Sequence, residues 1–189
     1  KMIGVVDCGM GNLRSVTNAI EYIGFDAILI SSPSDFKQIT HLILPGVGSY
    51  SQAMKSLQES GLIEVILDHI NIGKPFLGIC LGMQLLSLKG FEHGETEGMG
   101  VIDGKVIPFE LGDEFLVPHV GWNAIKLQRS HPLFEGVKPE IDYYFVHSFH
   151  FQTSNTKNIL AVTNYESDFN SVVAKDNVVG IQFHPEKSQ

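Results

Sequence analysis

The chain has few cysteines and no cluster of basic residues. Only 2 cysteines occur among its 189 residues, which excludes a disulfide framework and favours a reducing compartment, so we expect a cytoplasmic protein. Lys and Arg number 13 against 21 Asp and Glu, giving a formal net charge of -8. Because phosphate binding requires a basic face, we expect no nucleic acid as a partner.

Long apolar runs and metal-ligand spacings are also missing from the sequence. No stretch approaches the ~20 residues of a membrane span, and Asp7 interrupts the first apolar run too early for a secretory signal. The cysteines are far apart and the histidines scattered. His147 and His150, on one expected strand, should point to opposite faces. We therefore expect no membrane association, no metal and no other cofactor.

What the sequence does contain is a repeated alternation of strand and helix patterns. Hydrophobic residues make up 43% of the chain, enough for a buried core, and we expect one domain over residues 1–189. Short apolar runs at residues 3–6, 27–30, 41–44 and 76–79 alternate with helical patterns. Continuous apolar strands between helices predict an α/β fold with a central, mostly parallel sheet flanked by helices.

The pattern changes after residue 90. Before this point, a helix is predicted over residues 81–88. Beyond it, the glycine-rich, acidic segment 94–104 is typical of a mobile surface loop. Strand-like segments come next, and several of them are separated from the following one by a single turn. The longest spans residues 142–151. The C-terminal half is therefore expected to add β-hairpins to the central sheet.

A cysteine stands between two glycines at a predicted strand-to-helix junction, in Gly78-Ile79-Cys80-Leu81-Gly82. This pattern is the thiol counterpart of the nucleophile elbow, a sharp turn that lifts its central side chain out of the sheet. Bulkier neighbours would collide with the strand and the helix. The turn also sets the thiol at a helix N-terminus, which favours the thiolate. The alternative is a buried structural cysteine, and a base elsewhere would decide between the two.

A candidate base ends the last predicted strand. Residues 178–183 are strand-like and apolar, and His184-Pro185-Glu186 follows, where the proline stops the ladder. Glu186 is close enough in the chain to reach one imidazole nitrogen, which leaves the other for a thiol. Cys80, His184 and Glu186 thus become candidates for nucleophile, base and orienting carboxylate. Taken alone, His-Pro-Glu is more often only a strand-ending turn.

Together with Pro45-Gly46-Val47-Gly48, these stretches resemble the class I, triad-type glutamine amidotransferases. The resemblance runs from Ile3 to Ser188. Three further stretches narrow it to the glutaminase subunits of imidazole glycerol phosphate synthases: Asp7-Cys8-Gly9-Met10-Gly11-Asn12-Leu13, Pro118-His119-Val120-Gly121-Trp122-Asn123 and Tyr144-Phe145-Val146-His147-Ser148.

The resemblance implies a reaction and the residues for it. Cys80 would attack the side-chain amide of L-glutamine with help from His184, ammonia would leave, and water would release glutamate from a γ-glutamyl thioester. The implied oxyanion hole lies in the backbone of Gly46, Val47, Gly48 and Leu81. The implied contacts to the substrate's α-amino and carboxylate groups are Gln84, His147 and Ser148.

The resemblance also implies a partner. Members of the family deliver ammonia to a (β/α)8-barrel synthase subunit in a heterodimer, and that partner switches on a nearly idle glutaminase. Asn12, Trp122 and Lys187 match positions that face the barrel. We therefore expect Trp122 to be partly exposed in the free chain, and we expect the glycine-flanked residues 46–48 to reorient on activation.

Three alternatives stay open at this point. The same glutaminase chemistry could serve a paralogous enzyme that amidinates a surface sugar. A stand-alone cysteine hydrolase acting on γ-glutamyl amides would be fully active without a partner. A scaffold that only binds the barrel would function after Cys80→Ala. Cys8 is expected to be a loop thiol without catalytic duty, following the first strand at the same sheet edge as Cys80.

Overall fold

A mixed sheet organises residues 1–9, 13–139 and 141–188, the part of the chain that this computed structural model describes. Within those ranges the strands are β1 (Met2–Val6), β2 (Asp26–Ile30), β3 (His41–Leu44), β4 (Phe76–Ile79), β5 (Lys89–Gly90), β6 (Thr96–Glu97), β7 (Gly104–Pro108), β8 (His119–Ala124), β9 (Lys126–Leu127), β10 (Asp142–His147), β11 (Phe149–Thr153), β12 (Ile159–Tyr165), β13 (Ser167–Lys175) and β14 (Val178–Ile181). The α-helices are α1 (Leu13–Tyr22), α2 (Tyr50–Glu59), α3 (Leu62–Asn71) and α4 (Leu81–Gln84). Short 3₁₀ turns lie at Pro33–Gln38, Pro132–Phe134, Thr156–Asn158 and Pro185–Lys187.

The main sheet has the order β2-β1-β3-β4-β14-β13-β12-β9. The first five strands in this order run parallel, and the last three pair antiparallel. Two smaller sheets, β10-β8 and β11-β7-β5-β6, come from the C-terminal half and the segment before it. The predicted α/β fold, with a mostly parallel centre and added hairpins, is confirmed. No helix within the described ranges is both long and apolar enough to cross a membrane.

Helices cover both faces of the parallel strands because side chains alternate along each strand. On one face Val5 packs with Val16 and Ile20 of α1. On the other, Leu42 and Leu44 pack in a large core with α2, α3 and α4. Each fully buried leucine of this kind stabilises the fold by roughly 1.5–3 kcal/mol. The resulting rigid strands fix the positions of the loops at their carboxyl ends.

Two expectations about chain path are wrong. The single strand expected over residues 142–151 is two strands in different sheets, with a break at Ser148. As a result, His147 and His150 do not lie on opposite faces of one strand, and both rings contact Phe109. The helix expected over 81–88 ends at Gln84.

The glycine-rich segment 94–104 explains why that helix is short. The Leu88 N–H, which a helix through residue 88 would donate to the Gln84 carbonyl, donates instead to the Gly104 carbonyl at 3.0 Å. The N–H groups of Met99 and Val101 in turn donate to the carbonyls of Leu85 and Leu86. Met99 and Ile102 are buried, and β6 pairs with β5. The expected surface loop is therefore only partly confirmed, because Met99 and Ile102 pack against the core while several other residues are exposed: Gly94, Glu95, Glu97, Gly100 and Asp103.

Candidate active site

Cys80 occupies a strained turn between β4 and α4. Its backbone has φ 54° and ψ -111°, a left-handed region that side chains rarely adopt and that costs about 1–3 kcal/mol. The Cys80 N–H donates to Ile181 at 2.8 Å, and the Gln84 N–H donates to the Cys80 carbonyl at 3.2 Å. These bonds hold the turn and lift the sulfur clear of the sheet.

The flanking glycines are required by close backbone contacts. A Cβ at Gly78 would come within 2.5 Å of the Gly82 carbonyl oxygen. A Cβ at Gly82 would overlap the Leu44 carbonyl oxygen. The two glycines therefore let β3, β4 and α4 meet at the turn that presents the sulfur.

His184 reaches the same sheet edge because β14 and β4 are parallel neighbours. Ile181 lies opposite Ile79, so both strands end together and the residues that follow them meet. The His184 N–H also donates to the Tyr144 carbonyl at 2.9 Å. The distant segments expected to carry nucleophile and base are therefore brought together.

Glu186 orients the imidazole. The turn Pro185–Lys187 folds the carboxylate back, so that the Nδ1 atom of His184 lies 2.8 Å from its Oε1 atom. The His184 and Glu186 side chains are only 4% and 6% exposed. Burial by itself would lower the pKa of His184, but the nearby Cys80 sulfur and the Glu186 carboxylate outweigh burial and raise that pKa to about 9.

The sulfur does not yet engage the base in this structure. The Nε2 atom of His184 lies close enough to the Cys80 sulfur to interact electrostatically, yet it is buried without a partner of hydrogen-bond geometry. The Cys80 thiol instead points at the Val146 carbonyl, 3.9 Å away, and accepts from the Gln182 side chain at 3.7 Å. In this arrangement the thiol is therefore directed at Val146 and not at the imidazole.

A cavity of about 280 Å³ opens beside the sulfur, near the lower end of the range for ligand pockets. The described residues that line it are Val47, Gly48, Cys80, Leu81, Gln84, Glu92, Pro118, Val146, His147, Ser148 and Phe149. Six of the positions expected around the substrate and the oxyanion thus line this cavity: Val47, Gly48, Leu81, Gln84, His147 and Ser148. Ser148, the residue between the end of β10 and the start of β11, lies against this cavity.

One of the expected oxyanion donors, the Leu81 N–H, is occupied in this structure. The Leu81 N–H donates to the Gly46 carbonyl at 3.1 Å. Gly48 has φ 104°, a conformation that glycine adopts easily. The residues 46–48 must therefore reorient before the Leu81 N–H can bind a developing oxyanion.

Glu92 is a cavity residue that sequence reasoning missed. Among the described residues that line the cavity it is the one carboxylate, and its Oε2 atom accepts from the Tyr50 N–H at 3.2 Å. Its side chain is 20% exposed. The only signal in the sequence is an acidic residue between aromatic and glycine positions, and that pattern is too common to indicate a site.

His147 lies in the cavity wall, but both of its ring nitrogens form hydrogen bonds within the protein. A carbonyl can only accept, so His147 Nδ1 donates to the Phe149 carbonyl at 2.9 Å, and its Nε2 must accept from His119 Nδ1 at 3.0 Å. His119 Nε2 then accepts from Asn123 at 3.4 Å. Burial lowers the pKa of His147 to about 3 and of His119 to about 4. Both imidazoles are therefore neutral links in a one-directional chain, and His119 is a second residue to which the sequence assigned no role.

The residues expected to face a partner lie near the base. Trp122 is 50% exposed, which confirms the expected partial exposure, and its ring lies 5.6 Å from that of Tyr144. The Nζ atom of Lys187 lies 6.0 Å from the centre of the Tyr144 ring. Leu116, Val117 and Val120 add exposed apolar surface. Asn12 lies outside the described residues.

Cys8 is buried beneath the loop that follows β3. It is 2% exposed, and its sulfur lies 3.8 Å from the Pro45 carbonyl. A Cβ at Gly46 would contact both this sulfur and Leu81. The Cys8 side chain thus packs beneath the residues expected to form the oxyanion hole.

Comparisons with known proteins find relatives over nearly the whole chain. A family model described as glutamine amidotransferase class-I matches residues 4–189. An imidazole glycerol phosphate synthase subunit HisH from Caldanaerobacter subterraneus subsp. tengcongensis is 46% identical over 187 residues, covering 99% of this chain and 91% of that protein. A subunit HisH 2 from Methanococcus maripaludis is 45% identical over 188 residues, covering 99% of this chain and 93% of that protein.

Solved structures support the fold. The structure of PurLQS from Thermotoga maritima aligns with a TM-score of 0.79 at 20% identity, covering 98% of this chain and 88% of that one. A crystal structure of a glutamine amidotransferase aligns with a TM-score of 0.75 at 20% identity, covering 97% of this chain and 90% of that one.

Proposed function

Because the chain belongs to the class-I glutamine amidotransferases, we propose that its Cys80, His184 and Glu186 hydrolyse the side-chain amide of L-glutamine. The chain is a glutamine-hydrolysing subunit of imidazole glycerol phosphate synthase and serves histidine biosynthesis. The observation that carries the residue assignment is the buried His184–Glu186 pair, 2.8 Å apart, beside a cysteine on a strained turn.

His184 acts first as base and then as acid. Because its pKa is raised to about 9, its Nε2 atom takes and holds the thiol proton at neutral pH, and the resulting thiolate attacks the amide carbon of glutamine. The carbon–nitrogen bond then breaks as His184 returns the proton to the departing nitrogen, and ammonia leaves. Water, deprotonated by His184, then attacks the γ-glutamyl thioester. The carbon–sulfur bond breaks, glutamate is released, and the proton returns from His184 to the sulfur to restore the thiol. Glu186 stabilises the imidazolium that forms in each half of this cycle.

Glutamine is held through its polar backbone atoms. The Glu92 carboxylate in the cavity wall matches the positive α-ammonium group. Gln84 and the backbone around His147 and Ser148 supply polar groups for the α-carboxylate and α-amino groups. The side-chain amide of glutamine then points toward the nucleophilic sulfur of Cys80.

Activation requires the residues 46–48 to turn. The Leu81 N–H is occupied by the Gly46 carbonyl, and an unstabilised oxyanion costs about 10²–10³-fold in rate for each missing donor. A partner that reorients the peptides of Gly46, Val47 and Gly48 would free Leu81 and add a second donor. The isolated chain should therefore hydrolyse glutamine slowly.

The partner is a (β/α)8-barrel synthase subunit that receives the ammonia. It docks on the surface of Trp122, Tyr144 and Lys187, which adjoins the active site because the Tyr144 carbonyl accepts from the His184 N–H. Ammonia loses its nucleophilic lone pair on protonation in water, so a sheltered path between the subunits favours its transfer.

The test compares two nitrogen sources in the reconstituted complex. With Cys80→Ala, glutamine-dependent product formation should fall by at least about 10³-fold, while formation from added ammonium salt at alkaline pH stays unchanged. Cys8→Ser serves as the matched thiol control and should retain both reactions. Glutamine hydrolysis that persists in Cys80→Ala would exclude the thioester.

The same assay separates the alternatives. A stand-alone hydrolase would show equal glutaminase rates with and without the barrel. A glutaminase for a sugar-modifying enzyme would release ammonia without forming imidazole glycerol phosphate when mixed with the histidine-pathway synthase.

A further inference from the structure

Gln182 lies between the last strand and the catalytic base, and the mechanism above leaves it without a role. It is completely buried, and its N–H donates to the Ser171 carbonyl of β13 at 2.9 Å. Its side chain leaves the strand on the way to Cys80. The N–H donors and the oxygen acceptor of a buried primary amide must find hydrogen-bond partners within the protein.

The direction of those hydrogen bonds follows from one carbonyl. The Phe149 carbonyl can only accept, so the Gln84 amide presents its nitrogen to it, at 3.3 Å. The same nitrogen of Gln84 also donates to the Gln182 Oε1 atom at 3.1 Å. Gln182 therefore turns its oxygen toward Gln84 and its nitrogen toward Cys80, where Nε2 lies 3.7 Å from the sulfur.

We propose that Gln182 stabilises the catalytic thiolate by donating its side-chain N–H to the Cys80 sulfur. The proposal rests on the assignment of Cys80 as nucleophile. The second observation behind it is the bond from the Cys80 thiol to the Val146 carbonyl. Once the thiol proton has moved to His184, that carbonyl can no longer accept from the sulfur and instead repels it. The Gln182 N–H is then a second donor beside the protonated His184, and it strengthens because its acceptor has become charged.

Gln84 reinforces this donor. Accepting a hydrogen bond at Oε1 polarises the Gln182 amide and makes its N–H a better donor. Because Gln84 also lines the cavity, a glutamine molecule that contacts Gln84 is coupled through two amides to the sulfur that will attack it. Gln182 thus stabilises the reacting atom, and Gln84 acts on that atom through Gln182.

The test measures thiolate formation separately from turnover. In the complex with the synthase partner, the rate of Cys80 alkylation by iodoacetamide is followed against pH, with the modified residue located by mass spectrometry. In Gln182→Met, which keeps the side chain's length but has no N–H, the midpoint of the profile should rise by about 1–2 pH units. At pH 7 the value of kcat/KM for glutamine should fall about tenfold or more, mainly through kcat.

Two further variants separate this effect from packing. Ser171→Ala removes a buried hydroxyl that has no partner beside the Gln182 backbone, and its alkylation profile should match the wild type. Gln182→Glu is nearly isosteric and places a negative charge by the sulfur, so the midpoint should rise at least as far as in Gln182→Met. A wild-type midpoint in a folded Gln182→Met or Gln182→Glu variant overturns the proposal.

An observation on the unaltered side chain covers the case in which neither variant folds. The NMR signal of the Gln182 side-chain NH₂ should titrate with the same midpoint as Cys80 alkylation, and it should lose that transition in Cys80→Ala. A signal that stays constant through the alkylation midpoint refutes the hydrogen bond. Failure of the thioester mechanism would appear differently, as glutaminase activity retained in Cys80→Ala.

Discussion

The Leu81 N–H donates a 3.1 Å hydrogen bond to the Gly46 carbonyl. That bond occupies a donor that the proposed mechanism assigns to the oxyanion, and it joins the turn of Cys80 to the loop after β3. We therefore expect the bond to slow glutamine hydrolysis by the isolated chain, and the flexibility of Gly48, at φ 104°, provides the means to break it.

Gly48→Ala should therefore impair activation. An added Cβ narrows the backbone conformations open to residue 48 and so restricts reorientation of the neighbouring peptides. We expect glutamine-dependent turnover in the complex to fall by about 10²-fold, while ammonia-dependent turnover is unchanged. Gly73→Ala is the control, because Gly73 also has positive φ (87°) and open space around its Cβ. Equal loss of both reactions in Gly48→Ala would point to misfolding instead.

Glu186→Gln should lower both the pKa of His184 and the glutaminase rate. The amide oxygen still accepts from Nδ1, but the negative charge that helps raise the pKa of His184 to about 9 is gone. We expect a loss of about 10²–10⁴-fold in kcat. NMR titration of the His184 ring should record the lower pKa, and Glu59→Gln, at an exposed pair with Lys55, should change neither quantity. An unaltered His184 titration would contradict this electrostatic role.

The buried histidine chain predicts how stability depends on pH. His147, with a pKa of about 3, and His119, with a pKa of about 4, stay neutral in the folded chain. The unfolded chain protonates them below about pH 6.5, so their stabilisation is present above that pH and is lost as pH falls toward 4. The loss is about 1.4 kcal/mol per pH unit for each residue. Urea unfolding between pH 7 and pH 5 should record it, and increasing stability over that range would disprove it.

His184 has the opposite dependence. Its pKa is raised to about 9 in the folded chain, so its stabilisation is complete below about pH 6.5 and is lost as pH rises toward 9. The Glu186→Gln variant should therefore lose less stability than the wild type between pH 7 and pH 9. Thermal unfolding over that range provides the comparison.

Trp122→Ala should weaken partner binding with little effect on the free chain. Half of the residue is exposed, so its removal leaves no closed core cavity, whereas a buried aromatic at the centre of an interface contributes about 2 kcal/mol or more. We expect the dissociation constant of the complex to rise about 30-fold. Tyr22→Ala, at a residue 92% exposed on α1, is the control. Because the chain has 1 tryptophan, its fluorescence should also change on binding, and a constant signal would place the interface elsewhere.

Parts of the active site could be predicted from the sequence because they rest on local stereochemistry. Gly78 is required by a contact within the turn itself, and Glu186 reaches His184 across one proline. That the two segments meet also follows from a general rule, since parallel strands end at a common edge. The short spacing of these residues carries that information.

Other parts depend on contacts between distant segments. The break at Ser148 arises because β10 and β11 pair with different strands, and no local signal marks it. The placement of Glu92 in the cavity and the His119–His147 bond join residues far apart in the chain. Local propensity cannot predict such contacts, because the pairing partner of each strand decides them.

The amino-acid sequence therefore already specified the turn that carries Cys80, the pairing of His184 with Glu186 and the alternating α/β pattern. Each of these depends on residues that are only a few positions apart in the chain. Tertiary packing alone decided which amide faces the sulfur, which histidines stay neutral and whether the Leu81 donor is free. These properties depend on burial and on hydrogen-bond partners, and both exist only after distant strands have come together.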